Sequence, residues 1–214
     1  SFHISTADQW AATFKQKFSQ QTSQSNTSAF TTTIDGFECY ATVEETYQQA
    51  QALADRFPQL ATWNDIGDSW LKTNGQGGYD LMVLKITNRD ISKTKPILFV
   101  HSSMHAREYA PAALNLDFAK WLLNNYATNA DAKFILDNRE VHLLLHMNPD
   151  GRKIAETGVS QRKNVNENHC LEANVGVDLN RNFSFGWGTV DGGSSGDACS
   201  ATYRGDSPGS EPEV

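Results

Sequence analysis

At 214 residues, 39% hydrophobic and 20% charged, the chain has an ordinary globular composition, with room for one sizeable α/β core or two small ones. No apolar run approaches the length needed to cross a bilayer, and a net charge of −7 with no Lys/Arg block argues against membranes and nucleic acids as partners. Three cysteines cannot all pair within one chain, so their count leaves the redox compartment open.

In chain order, the start Ser1-Phe2-His3 lacks the basic and apolar parts of a signal peptide, as a secreted protein numbered from a processed start also would. Trp10, Phe14 and Phe18 at four-residue spacing behind Ser5-Thr6 predict an amphipathic helix over residues 6–20. The Gln/Ser/Thr/Asn-rich stretch 20–33 reads as a linker, so 1–35 form an N-terminal helix and linker and 36–214 the main domain. Thr42-Val43-Glu44-Glu45 opens a second helix with a capping-box pattern, and Pro58 ends it.

Residues 81–87 and 97–102 predict strands joined by a polar loop over 88–95, and 112–126 and 130–138 predict helices. Residues 141–147 predict a further strand that stops at an Asn148-Pro149-Asp150-Gly151 turn. Strands alternating with helices imply an α/β fold with a mixed, largely parallel central sheet flanked by helices. From about Arg152 the chain is mostly loop, and long loops in compact domains are usually functional, so the substrate pocket is expected there.

The densest chemistry lies in His101-Ser102-Ser103-Met104-His105-Ala106-Arg107-Glu108-Tyr109, just past the carboxyl end of the strand begun by Pro96-Ile97-Leu98. Open α/β sheets bind their ligands there. His105 and Glu108, three positions apart, fall on one side of a single turn and could supply two of the three protein ligands of a catalytic zinc. Taken alone, such a spacing more often marks a solvated cluster at a helix start.

His105-Ala106-Arg107-Glu108-Tyr109 resembles the HxRE(W/Y) motif of the zinc metallocarboxypeptidases related to pancreatic carboxypeptidases A and B. Asn148-Pro149-Asp150-Gly151, Gly176-Val177-Asp178-Leu179-Asn180-Arg181-Asn182-Phe183 and Cys199-Ser200-Ala201-Thr202-Tyr203-Arg204-Gly205 resemble three further motifs of that family, in the same order. The similarity runs from about Tyr40 to the last residue. It implies a Zn²⁺ held by His105 and Glu108, a peptide's terminal carboxylate held by Asn180 and Arg181, and Arg162 beside the scissile carbonyl as the catalytic oxyanion donor. Arg107 would lie at the rim and steer substrate; surface ion pairs remain an alternative for Arg107 and Arg162. Asp178 is either a partner that orients the ligand histidine or a buried acceptor for backbone amides. His101, His142 and His146 are expected in the core or behind the ligands, with His142 and His146 on one strand face, and His3 and His169 in solvent.

The resemblance also implies a Cys170–Cys199 disulfide, with two buried thiols as the alternative, and hence a secreted or periplasmic protein. Cys39 would be left over. In the family the third zinc ligand, the residues that set specificity and the general-base glutamate lie beyond the segment that Gly209-Ser210-Glu211-Pro212-Glu213-Val214 resembles. The C-terminal part of the catalytic domain is therefore expected to be missing from this chain and supplied by a further segment or second chain. Two rivals share these features: a catalytically inactive binder of peptide C-termini, and a zinc-dependent deacylase or amidohydrolase of the same superfamily.

Overall fold

The structure is a computed structural model that describes residues 33–168, 170 and 175–214. The expected helix over 6–20, most of the linker after it and His169 lie outside the described residues.

A short hairpin of β1 (Thr33–Ile34) and β2 (Phe37–Ala41) leads into α1 (Val43–Arg56). Thr42 caps α1 by accepting the Glu45 N–H at 3.2 Å, which satisfies one of the helix's orphan donors. The sheet follows with β3 (Ala61–Asp68), β4 (Asp80–Ile86), β5 (Ile97–His101) and β6 (Glu140–Leu144), in the order β3-β4-β6-β5. It is mixed: β5 and β6 pair in parallel, whereas β3/β4 and β4/β6 are antiparallel. A four-residue helix, α2 (Trp70–Thr73), interrupts β3 and β4, and α3 (Ala110–Asn125) and α4 (Ala130–Asn138) link β5 to β6 as the crossover a parallel pair requires.

Three expectations change. β3 was not foreseen, because its Asn64, Asp65 and Gly67 are poor strand formers and only its pairing with β4 makes it a strand. The predicted strand 141–147 ends at Leu144. The Asn148-Pro149-Asp150-Gly151 turn is the start of a helix, α5 (Pro149–Ala155), in which Asn148 accepts the Gly151 N–H at 3.0 Å and Pro149 takes the first position, where its missing N–H costs nothing. The irregular half therefore begins after Ala155.

The two faces of the sheet have different tasks. On one, Leu84, Ile86, Val141 and Leu143 pack against Leu116, Leu122 and Leu136 of the helices, each such burial contributing about 1.5 to 3 kcal/mol. On the other, Leu81, Val83 and Leu144 hold Met147, Leu179 and Met104. Met104 precedes His105 and Leu179 follows Asp178, so this second cluster clamps two site loops onto the sheet.

Cys170 and Cys199 are bridged, 29 positions apart, and Cys39 is free and exposed. Closing that loop constrains the unfolded chain, so replacing both cysteines with serine is expected to lower unfolding free energy by about 3 to 4 kcal/mol, read from urea midpoints.

The last residues dock through buried acids. Glu213 accepts the Trp70 N–H at 2.9 Å and Asn164 Nδ2 at 3.2 Å, while Asp150 accepts Ser69 Oγ at 3.0 Å and the Leu71 N–H at 2.9 Å. Burial outweighs these bonds and raises Glu213 from 4.5 to about 8, and Asp150 from 3.8 to about 6. Folding therefore takes up protons between the unfolded and folded values, and this contribution to stability is greatest below 4.5 and declines as pH rises to about 8. Between pH 6 and 8 the denaturant midpoint is expected to fall, and to fall less in Glu213→Gln.

Candidate metal centre and active site

Beyond β5 the chain continues its ladder for one residue, with the Ser102 N–H on Leu144 O and the Met147 N–H on Ser102 O, both at 2.9 Å. Ser103 then turns it in a left-handed conformation, φ 53°, that a non-glycine residue rarely takes. The turn delivers His105. Asn148 holds the turn from below: its Nδ2 donates to Met104 O at 3.2 Å and to Lys163 O at 3.0 Å. The Ala106 N–H bonds Arg162 O at 3.1 Å, so the loop bearing Arg162 runs alongside the loop bearing His105.

A third strand of chain comes in close beside Asn164. A Cβ on Gly176 would stand 2.0 Å from the Asn164 carbonyl oxygen, so only glycine allows the approach that brings Asp178 up to Arg162.

The outcome is a charge relay of fixed geometry. His105 Nε2 lies 3.1 Å from Asp178 Oδ1, and His105 Nδ1 lies 3.0 Å from Glu108 Oε1. Asp178, fully buried, also accepts Arg162 Nη2 at 3.0 Å, Arg162 Nε at 3.3 Å and the Asn180 N–H at 3.1 Å. It thus contacts the His105 ring and accepts a backbone amide as well. Burial alone would raise its carboxyl, but the bonds from His105 and Arg162 prevail and hold it below its ordinary value.

This arrangement fits zinc. Asp178, held ionised, only accepts, so a proton on His105 Nε2 faces it, and Nδ1 faces another carboxylate oxygen, Glu108 Oε1. Two acceptors at 3.0 Å need a proton or a cation between them. A nitrogen and a carboxylate oxygen, with the far ring nitrogen tied to a carboxylate, is a donor set suited to Zn²⁺. Among the described residues no group of three or more His, Cys, Asp and Glu side chains could hold a metal.

The remaining expected residues lie around this centre. Arg107 is exposed and donates to Ser160 Oγ at 3.1 Å. Asn180 and Arg181 form a 3-10 turn that starts at Asp178, so the same carboxylate anchors them and His105. Arg181 spends Nε on Gly193 O at 2.7 Å, and the pair opens onto a cleft of about 260 Å³ walled by Phe183, Phe185 and Trp187. Of the other histidines, His142 is half-buried on Glu140 at 3.0 Å, and His146 is fully buried beyond the end of β6, so the two do not share a strand face. His101 is exposed, against expectation, β5 being an edge among the described strands; its ring lies 6.3 Å from those of Phe99 and Phe183.

Arg152 was not singled out by sequence. It is 1% exposed, lies 4.2 Å over the Tyr109 ring and donates through Nη1 to Glu108 O at 3.2 Å, fixing the backbone of the second candidate ligand. No periodicity marks a buried cation on a seven-residue helix.

The site is thus an imidazole and a carboxylate poised past one strand of a mixed sheet, with an Asn-Arg turn beside them. The sequence profile of the zinc carboxypeptidase family matches residues 46–214, and the chain belongs to that family. Carboxypeptidase A1 of Sus scrofa is 31% identical over 186 residues, 87% of this chain and 42% of the relative. Metallocarboxypeptidase A of Trichophyton tonsurans is 32% identical over 182 residues, 85% of this chain and 41% of the relative. Among solved structures, thrombin activatable fibrinolysis inhibitor superposes with a TM-score of 0.72 at 27% identity, covering 92% of this chain and 47% of that one. The chain thus spans less than half the length of each of these three.

Proposed function

We propose that the protein is a zinc-dependent metallocarboxypeptidase, which removes C-terminal residues from peptides and proteins through a zinc-activated water. The observation that carries this is His105 set between two carboxylates, Glu108 at 3.0 Å and Asp178 at 3.1 Å. His105 and Glu108 would hold Zn²⁺, whose Lewis acidity polarises a carbonyl and acidifies water. Asp178 keeps the proton on His105 Nε2 and so fixes the tautomer and the ring plane. Arg162, turned toward Asp178 by Nε and Nη2, offers its remaining N–H groups to the oxygen that gains charge as the peptide carbonyl is attacked. Asn180 and Arg181 receive the terminal carboxylate, the guanidinium fork matching its two oxygens, and Arg107 attracts it from the rim.

Catalysis is completed by a further segment or second chain that carries the remaining ligand and the general base. The sheet supports this. β5 is its edge among the described strands, and Ile97, Leu98 and Phe99 on it are 60%, 50% and 50% exposed, an apolar unpaired edge that calls for cover. The Cys170–Cys199 bridge supports a secreted or periplasmic location.

The test is hydrolysis and binding of N-blocked peptides with free and with amidated C-termini, with and without chelator. Cleavage of the free form alone, abolished by chelator and restored by zinc, is expected. Chelator-insensitive binding of the free form without turnover would identify the inactive C-terminus binder, and cleavage of amidated substrates the deacylase or amidohydrolase.

A further inference from the structure

At the end of the sheet away from His105, a polar cavity of about 450 Å³ opens beside the loop 88–95. β5 and β6 are parallel; His105 and Asn148 follow their carboxyl ends, whereas Lys95 and Glu140 stand at their amino ends. Five residues of strand separate the two ends by roughly 15 Å.

Lys85, Arg89, Lys93 and Lys95 line this cavity against one carboxylate, Glu140. Lys85 is neutralised by Glu140 at 2.7 Å. The other three are held by neutral acceptors: Arg89 Nη1 by Pro58 O at 2.6 Å, Lys93 Nζ by Asn138 Oδ1 at 2.7 Å, and Lys95 Nζ by Thr87 Oγ1, Asn88 O and Leu136 O at 2.9, 2.6 and 3.0 Å. Lys95 is only 6% exposed, so its charge sits within the wall. Burial lowers its pKa, and Lys93 and Lys85 add to that, while Asp137 and Glu140 oppose it. Asp137 is itself taken up by Lys133 at 2.8 Å and by Asn88 and Tyr126 at 2.7 Å. Three positive charges therefore meet at one cavity of a chain whose net charge is −7, and Thr62 and Ser92 are among the residues that line it.

We propose that this cavity binds a dianionic oxyanion, presented either as a free phosphate or sulfate ion or as a phosphate monoester on a larger molecule. Arg89 supplies a fork of N–H donors with one of its groups already committed, Lys93 an exposed ammonium with one bond to Asn138, and Lys95 a fixed field behind them. A singly charged carboxylate would leave most of the excess charge unbalanced.

Isothermal titration of the full chain with inorganic phosphate, inorganic sulfate and a monosaccharide phosphate tests it. Saturable one-to-one binding is expected, weakened about tenfold in Arg89→Gln/Lys93→Gln, whose side chains are exposed and whose loss leaves the core intact. The matched pair Lys72→Gln/Lys120→Gln, one beside Asp80 at the opposite end of β4 and one on α3, should bind as the parent does. Tighter binding of a free ion than of the ester identifies the free ion as the ligand, and the reverse identifies a carried group. Absence of saturation, or equal weakening in both double variants, would overturn the site.

Discussion

Arg162→Met is expected to lower kcat on an N-blocked dipeptide by roughly 10²- to 10³-fold with KM nearly unchanged. Arg162 is oriented in advance, by two bonds to a buried carboxylate at 3.0 and 3.3 Å, so it need not reorganise when charge develops on the substrate. A donor of this kind acts mainly in the transition state, which is why the loss falls on kcat. Methionine keeps much of the side-chain volume and removes the donors. Metal content measured alongside separates loss of the oxyanion donor from disturbance of Asp178. An effect on KM alone would make Arg162 a substrate-binding residue.

Asp178→Ala is expected to act twice. His105 loses the acceptor that holds its Nε2 proton, and zinc affinity should fall by about 10- to 100-fold, read by competition with a chromophoric chelator. Arg162, 19% exposed, loses its carboxylate partner, and the Asn180 turn loses its cap. Removing one member of a buried pair leaves the other unsatisfied, so unfolding free energy should also drop, by about 3 to 5 kcal/mol. Unchanged zinc affinity in a destabilised variant would reduce Asp178 to a purely structural acceptor.

Much of this was legible in the chain. α1 could be drawn from Thr42, Glu45 and Pro58 because capping is a local bond between residues three apart. α4 was placed correctly at Ala130–Asn138. β3 was hidden because its strand character comes from β4 and not from its own residues, and α5 because Asn-Pro-Asp-Gly reads equally as a turn or as a helix start. At the site, residue types alone leave His105 and Glu108 readable as a solvated cluster, and only the resemblance of four ordered motifs singles them out, while the role of Asp178 stays between two alternatives. Its link to Arg162 spans 16 positions and depends on the close passage of Gly176 past Asn164, a tertiary approach with no local signature. Arg152 was missed for the same reason: its partners, Tyr109 and Glu108, are more than forty positions away.

The central claim is that His105 and Glu108 together hold the metal. Zinc-edge X-ray absorption on protein isolated from its natural source, compared with His105→Ala and Glu108→Ala, tests it most directly. One zinc per molecule is expected, with nitrogen and oxygen neighbours at about 2.0 to 2.2 Å and an imidazole signature, and with the metal lost from both variants. A sulfur shell, or zinc retained with the same neighbours after either substitution, would contradict it.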